Sequence, residues 1–490
     1  MRRSNINPAQ SLAVIISVLF ALSSASFQLN AANSSSKDEL TLQRAVAIAV
    51  ENDPWLTRSD LQQRAIEFNS EAVTALPNPV VSIGIANLPT DGFAFDQEPM
   101  TQLKAGVSQM FPRGESLGIQ SQHLQALAKQ HPLLRQDRIA NTTMTVSALW
   151  LDVYRTQQVV ALIEQDRALF EQLSEIVQAS YSSAVGKVRQ QDIVRAQLEL
   201  TRLEDRLHSL LLTKEQAGGQ LLEWLITPKN TETNWHTQTQ FDDDNLQLAP
   251  NKPEVAGISE SAKKLLSLND RQGLAQLLSA HPAIMAIDQR VQASKTNIEL
   301  AKQQYKPQWG VNASYAYRAD DTLGRSRADF FSIGLSFDVP LFTQTKQDSS
   351  LAAAVNETEA MKTDKLLALR KLLSQLQTTW SVYQRLLKRG ALYEDHILVQ
   401  TKEQADASTT AYTNDDGDFS EVVRARIDNL NARIDSLNIQ VEIQKTKVKL
   451  NYLLTSAVLI NVPHLTNVSH LTNVSKTSAN PRSIAGDHNE

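Results

Sequence analysis

The amino-acid sequence contains an internal duplication with a constant spacing. Two copies of the pattern Gly-x-Ser-x-x-x-Pro, GVSQMFP at 106–112 and GLSFDVP at 334–340, lie 228 residues apart. Fixed spacing of this kind indicates a repeat architecture. The 490 residues are therefore expected to form two copies of one unit rather than several independent domains. Other identical pairs at this spacing include Pro54/Pro282, Asp60/Asp288, Ala65/Ala293, Asn69/Asn297, Glu71/Glu299 and Pro79/Pro307.

The first residues have the layout of a secretory signal peptide. Arg2 and Arg3 precede the apolar stretch SLAVIISVLFALSSA, and small residues follow it. We expect residues 1–31 to be a signal peptide that is cleaved between 25 and 32. No later stretch offers about 18 consecutive apolar residues, so a helical inner-membrane protein is not expected.

Composition and motifs exclude several functions. After the leader, 46 basic residues stand against 53 acidic ones with no basic run, so we expect no nucleic-acid partner. The absence of cysteine excludes disulfides, thiolate metal sites, a catalytic thiol and a lipidated N-terminal cysteine. The histidines are scattered, the methionines form no cluster, and no nucleotide-binding or metalloprotease motif is present. We therefore expect no enzyme activity, catalytic residue, cofactor or metal site.

Each unit contains two stretches in which apolar residues alternate with small or polar ones. This alternation predicts strands over about 79–88 and 102–111 in the first unit, and about 307–318 and 329–341 in the second. Ten-residue strands with one apolar side are typical of tilted strands in outer-membrane barrels, and half-buried hairpins of a soluble sheet are the alternative. Five aromatic residues are candidates for a girdle at the membrane interface, unless they serve ordinary strand packing: Trp309, Tyr315, Tyr317, Phe330 and Phe331.

Long helices are predicted after each strand pair. Leucine and aromatic residues recur at intervals of three and four from Leu366 to Leu387, which is the heptad spacing of helices that pack side by side. Pro132 should kink or end the first long helix. The predicted helices cover about 57–77, 115–182, 190–227, 283–305, 344–411 and 421–455. These elements divide the chain into a first repeat (38–228), a connector (229–265), a second repeat (266–458) and a disordered polar tail (459–490).

These features resemble the TolC family of outer-membrane efflux ducts. The stretches LTLQRAVAIAVENDPWL, PNPVVSIGIANLP and GVSQMFPRG are similar to the first helix and first strand pair of that family. The resemblance implies a mixed α/β membrane protein: a homotrimer whose three chains, with four strands each, form a twelve-stranded outer-membrane β-barrel continued by a periplasmic α-helical coiled-coil barrel. It implies a passive exit duct in contact with outer-membrane lipid. Its partners would be a periplasmic adaptor and an inner-membrane pump of the RND type.

The resemblance also implies roles for the turns between the long and the following helices. Asp415, Asp416, Asp418 and Glu421 are expected to form an acidic collar at the periplasmic gate, unless the acids belong to a merely solvated turn. Arg195 and Arg424 are candidates for gate ion pairs. Gly186 and Gly417 are candidates for turn glycines that contact the adaptor.

Cargo and two rival functions stay open at this stage. The acidic loop LPTDGFAFDQEPMT (88–101) is similar to the branch of the family that serves metal-cation efflux, so metal cations or small toxic molecules are expected as cargo. A periplasmic coiled-coil adaptor is one alternative, although its single hairpin leaves two strand pairs unexplained. A secreted structural coiled-coil protein is the other, and it has no need of alternating strands.

Overall fold

The structure is a computed structural model that describes residues 39–182, 189–228, 237–238, 246, 248–414 and 417–456. The predicted signal peptide, the predicted tail and part of the predicted connector lie outside the described residues. The helices are α1 (Leu42–Glu51), α2 (Pro54–Ala72), α3 (Ser116–Ala128), α4 (Gln130–Ser182), α5 (Gln190–Leu225), α6 (Glu260–Ser267), α7 (Arg271–Ser279), α8 (Pro282–Gln303), α9 (Thr343–Leu392), α10 (Leu398–Thr413) and α11 (Phe419–Leu453). The strands are β1 (Val80–Ala86), β2 (Gln102–Phe111), β3 (Thr227–Pro228), β4 (Thr237–Gln238), β5 (Trp309–Tyr317) and β6 (Phe330–Phe337).

The helix that leads into each strand pair begins at one of the duplicated prolines. Pro54 is the first residue of α2 and Pro282 is the first residue of α8. Proline suits this position because its fixed φ is helical and the first backbone N–H of a helix has no intrahelical partner. The residue before each proline caps the helix: Asp53 accepts a hydrogen bond from the backbone of Trp55, and His281 accepts one from Ala283.

The first long helix is not continuous over 115–182 as predicted. It ends at Ala128 and resumes at Gln130, so that α3 and α4 are separate helices. Pro132 is the third residue of α4, where its missing N–H costs no hydrogen bond. The break therefore lies three residues before the proline that predicted it.

The second long helix contains a different irregularity. A π-helical turn, Tyr393–Ile397, joins α9 to α10. This turn inserts an extra residue into the helix. The predicted connector 229–265 also needs correction, because α6 already begins at Glu260 and is capped by the Ser259 hydroxyl.

The long helices pack through three apolar clusters along their length. One cluster at the level of the connector surrounds Trp150, whose indole N–H donates to the Leu40 carbonyl at 3.0 Å. A second joins α4, α5 and α11 toward the turns. In the third, part of the predicted heptad seam, with Leu376 fully buried, packs on Leu274 and Leu450. At about 1.5 Å per residue, the 53 residues of α4 extend roughly 80 Å.

Candidate channel wall and periplasmic tip

The strands of the two units form one antiparallel sheet with the order β1-β2-β5-β6. The register places Val107 opposite both Val81 and Ala313, and Ala313 opposite Ile333. Because side chains alternate between the faces of a strand, this register places the alternating apolar positions of all four strands on one face. The sheet therefore has one apolar face and one face of mainly small and polar residues.

The apolar face is exposed in the single chain. Ile83 is 77% exposed and Ile333 is 72% exposed, and most of the other residues on this face are exposed as well. A contiguous apolar patch of this kind marks contact with lipid or with another protein. The remaining members of the face within the strands are Val81, Ile85, Leu103, Ala105, Val107, Gln109, Phe111, Trp309, Val311, Ala313, Tyr315, Tyr317, Phe331, Leu335 and Phe337.

Aromatic side chains lie at both ends of this face. At the end nearer the helices, Trp309 packs against Phe337 with ring centroids 5.1 Å apart. At the loop end, Tyr317 stacks on Phe95, and the Tyr315 hydroxyl donates to Asp329. Eight residues at about 3.3 Å each separate Trp309 from Tyr317, and a tilt of about 40° reduces this to roughly 20 Å along the membrane normal. That spacing is comparable to the height of an apolar membrane band.

Phe330 must be removed from the predicted girdle. It pairs with Ala316 on the opposite face of the sheet, because consecutive strand residues point to opposite faces. Its ring lies 4.0 Å from the guanidinium carbon of Arg318. Of the five predicted aromatic residues, Trp309, Tyr315, Tyr317 and Phe331 share the apolar face.

The duplicated glycines of the opening motif lie on the other face of the sheet. A Cβ at Gly106 would lie 3.0 Å from the Ser82 hydroxyl, and one at Gly334 would lie 2.7 Å from the Asn312 amide oxygen. Both glycines therefore accommodate a polar side chain of the neighbouring strand. The other residues of this face within the strands are Val80, Gly84, Ala86, Gln102, Lys104, Ser108, Met110, Gly310, Ser314, Ala316, Phe330, Ser332 and Ser336.

Arginines connect the two loops at the far end of the sheet. Arg318 donates to the Pro99 carbonyl at 3.2 Å, and Arg327 donates to the carbonyls of Asp96 and Glu98 at 3.4 and 3.3 Å. The acidic loop is thus held through its backbone, and these contacts do not use its carboxylates. The sequence contains no local signal for this cross-loop pairing, because the partners are about 230 residues apart.

The helix–sheet junction is held by an ion pair between the two units. Arg113, directly after the first Gly-x-Ser-x-x-x-Pro motif, pairs with Asp338 inside the second copy and donates to the Lys306 carbonyl at 2.7 Å. Asp338 also accepts a hydrogen bond from the Gln308 backbone at 2.7 Å. These contacts connect both strand pairs to the helices below them.

At the second turn, the described acids lie in the first turn of α11. Asp418 is the N-cap, and its carboxylate accepts from the Ser420 backbone N–H at 3.0 Å. This bond lowers the pKa of Asp418, with smaller contributions from the charges of Arg189 and Arg195. Glu421 is exposed in the same turn, where a negative charge is stabilised by the helix dipole. Asp415 and Asp416 lie outside the described residues.

Gly417 occupies a tight place in this turn. A Cβ there would lie 2.7 Å from the Tyr412 backbone nitrogen, which only a shift of the backbone could relieve. The adjacent Tyr412 and Phe419 rings pack with centroids 5.6 Å apart. The geometry therefore requires glycine at 417 for local packing, whereas Gly186 lies outside the described residues.

The two arginines predicted to form gate ion pairs are exposed and, among the described residues, form no ion pair within the chain. The helices near the tip are instead connected by two other arginines. Arg426 pairs with Asp406 at 3.3 Å, and Arg433 pairs with the buried Asp166 at 2.8 Å. The sequence analysis missed both pairs because their partners lie on different helices.

A buried polar cluster lies where α8 meets the end of α11, and the sequence analysis missed it as well. His281 is fully buried, and its Nδ1 accepts from the Ala283 N–H, so its Nε2 carries the proton and donates to the Tyr452 carbonyl at 3.1 Å. The Tyr452 hydroxyl donates to Asp137 at 3.1 Å. Burial lowers the pKa of His281 and raises the pKa values of Asp137 and Tyr452.

Within the part of the chain that the structure describes, no group of three or more histidine or acidic side chains is placed to hold a metal ion. Among the same residues, no helix combines the length and the apolar composition of a membrane span.

Comparison with known proteins assigns a class to this architecture. Residues 273–456 match the model of the family described as outer membrane efflux protein. No curated protein matches the chain. The predicted resemblance to the TolC family is thereby confirmed.

Several solved outer-membrane channels share the fold at low sequence identity. CusC, in structures concerned with folding and transmembrane channel formation, matches with a TM-score of 0.65 and 13% identity over 85% of this chain and 92% of its own. VceC from Vibrio cholerae matches with a TM-score of 0.63 and 14% identity over 85% and 96%. The open state of MtrE from Neisseria gonorrhoeae matches with a TM-score of 0.62 and 15% identity over 84% and 88%. The predicted fold class, long paired helices with a small antiparallel sheet, is confirmed.

Proposed function

We propose that three copies of this chain form the outer-membrane exit duct of a tripartite efflux system. The observation that supports this is the two-faced sheet, whose outer strands β1 and β6 each pair with only one strand among the described residues. Open sheet edges are not stable in lipid, because unpaired backbone groups there have no water to bind. Three sheets joined edge to edge give twelve strands in a closed barrel, with the apolar face toward lipid and the polar face toward the pore.

The helical part of each chain forms the periplasmic portion of this duct. Helices of roughly 80 Å are long enough to reach far below the membrane, and their turns are the distal ends of the chain. We assign to these turns the contact with a periplasmic adaptor and, through it, with an inner-membrane pump of the RND type. Gly417 and Gly186 are the proposed contact positions. The duct itself has no chemistry, and the pump supplies the energy.

Metal cations or small toxic molecules are the proposed cargo. Support for cations comes from acids at both ends of the chain's path: Asp91, Asp96 and Glu98 in the loop after β1, and the tip acids. Arg327 binds the backbone carbonyls of Asp96 and Glu98 in this loop and leaves their carboxylates available. One fold can serve several functions, so the fold does not distinguish the two classes of cargo.

We further propose that the tip acids Asp415, Asp416, Asp418 and Glu421, tripled by symmetry, form a cation-attracting collar at the closed periplasmic mouth. The lowered pKa of Asp418 keeps that carboxylate charged. The charge of Arg195 already acts on Asp418, so Arg195 is the better supported partner for an ion pair across the collar, with Arg424 as the second candidate.

The collar can be tested separately from its capping role. Asp418→Asn retains an acceptor for the Ser420 N–H, so it removes charge without removing the cap. Combined with Glu421→Gln, Asp415→Asn and Asp416→Asn, it should lower the cation preference of reconstituted channels. Unchanged ion selectivity in the quadruple variant would refute the collar.

The duct itself is tested by the mass of the detergent-extracted protein, measured by light scattering corrected for bound detergent. A trimer supports the closure of twelve strands. A stable monomer would leave four strands with two open edges and would favour the coiled-coil adaptor instead.

A further inference from the structure

The polar face of the sheet contains a single ionisable side chain. Of the residues that the register places on this face, only Lys104 is charged. It is exposed, and among the described residues it forms no ion pair within the chain. Its neighbours across the strands are Gly84 and Ala316, so no large side chain stands beside it.

A second cation lies at the same level of this face. Arg318 follows β5 directly, and its guanidinium lies over the ring of Phe330, in the cross-strand row of Lys104. Its side chain is held there by bonds to the carbonyls of Ala328 at 2.7 Å and Pro99 at 3.2 Å. Asp329 accepts from the Arg318 backbone N–H at 3.0 Å and from the Tyr315 hydroxyl on the apolar-face side. Within the strands, the only charge on the polar face is therefore the positive charge of Lys104.

We propose that Lys104 of three chains forms a basic ring inside the barrel that selects anions over free cations. The inference rests on the proposed duct, because only barrel closure turns the polar face into a pore wall. It specifies a property that the fold alone does not: the barrel wall, inside the acidic loop at 88–101, would have the charge opposite to that of the periplasmic tip. Cargo that crosses the ring most easily is a small organic anion or a neutral molecule, rather than a free divalent cation.

The size of the expected effect follows from barrel geometry. Twelve strands about 4.8 Å apart and tilted about 40° give a barrel with a backbone radius of about 12 Å. An extended lysine side chain spans about half of this radius, so its charge lies about 6 Å from the axis. Three unit charges about 6 Å from the axis, in water with about 0.1 M salt, enrich a monovalent anion on the axis about seven-fold. The rest of the pore lies in series with this ring, so we expect a change of at least about two-fold in the measured anion-to-cation permeability ratio when the ring is neutralised.

The experiment is a reversal-potential measurement on single channels in planar bilayers under a KCl gradient. Lys104→Gln should lower the chloride-to-potassium permeability ratio at least about two-fold. Lys104→Glu should lower this ratio further, below that of Lys104→Gln, because it places a negative charge at the same position. A charge-relocation pair provides the matched control. In the Lys104→Gln background, Ser108→Lys returns a lysine to the pore face and should restore anion preference, whereas Gln109→Lys places it on the lipid-facing side and should not.

The outcomes separate this inference from the function on which it rests. If the wild-type protein forms trimers and channels but Lys104→Gln and Lys104→Glu leave the ratio unchanged, the basic ring is refuted and the duct stands. If the wild-type protein is monomeric and forms no channels, the duct itself is refuted. Restoration by Gln109→Lys as strong as by Ser108→Lys would show that surface charge, and not a ring inside the pore, sets the selectivity.

Discussion

The assignment of the two sheet faces predicts opposite effects for two consecutive substitutions in β6. Ile333 lies in the central cross-strand row of the apolar face, opposite Ala313, and Ser332 lies next to it on the polar face, opposite Ser314. If the apolar face contacts lipid, Ile333→Lys places a charge near the middle of the bilayer. Ser332→Lys places the same charge in the pore, where water solvates it.

The cost can be estimated per chain and then tripled. A lysine on the lipid face near the midplane costs about 2–4 kcal/mol, and loss of the contact between the isoleucine side chain and lipid adds about 1.5 kcal/mol or more. Three chains bring the total to roughly 10–16 kcal/mol, which equals or exceeds the net stability of most folded proteins. We therefore expect Ile333→Lys to abolish the assembled trimer in the outer membrane and Ser332→Lys to leave it near the wild-type level.

The assay is membrane fractionation followed by unheated gel electrophoresis, which detects a heat-resistant trimer, together with refolding into lipid vesicles. Expression of both variants to the same total level is the control for synthesis and export. Equal assembly of the two variants, or selective loss of Ser332→Lys, would contradict the orientation of the sheet.

Two further predictions concern the capped starts of α2 and α8. Burial lowers the pKa of His281 in the folded protein. The stability that neutral His281 contributes is therefore complete above its ordinary pKa of about 6.5 and is lost as the pH falls through the pKa of the folded state. The melting temperature should fall on acidification from pH 8 to pH 5. His281→Asn, which can still cap, should reduce this fall, whereas His208→Asn on an exposed helix face should not; an unchanged profile in His281→Asn argues against the assignment. Asp53→Ala removes both a cap and the 2.7 Å ion pair with Arg138, and should cost about 3–5 kcal/mol in chemical denaturation, clearly more than Asp53→Asn, which loses the charge but keeps a cap; equal losses would show that the cap adds little.

The sequence predicts the sheet well because the alternation of apolar and polar residues along a strand indicates which residues share a face. The apolar positions of four separate strands share one face, and the glycines of the duplicated motif fit beside polar neighbours. Phe330 is the exception, since it was grouped with Phe331 by residue type although neighbouring strand residues cannot share a face. Residue type alone did not suffice there, and the period-two rule would have excluded it.

Helix interruptions and long-range polar contacts were less predictable. The break after Ala128 does not lie at Pro132 itself, because proline is tolerated in the first turn of a helix. No sequence signal marks the π-helical turn. Arg433 and Asp166 are 267 residues apart, and their ion pair depends on how α4 packs against α11. Such contacts depend on tertiary packing, which the periodicity within a single helix or strand does not predict.

The duplicated helix starts show how the two units diverged within one architecture. Asp53 and His281 occupy equivalent positions, 228 residues apart, and each caps the helix that begins at the next proline. Their partners are consecutive residues of α4: Arg138 pairs with Asp53, and Asp137 lies 4.0 Å from His281. The first unit thus uses an ion pair, whereas the second uses a neutral histidine whose pKa is lowered by burial. Because both partners lie side by side on α4, loss of the His281 contact in acid should loosen the second unit while the first stays attached, an asymmetry that a perfectly repeated sequence would lack.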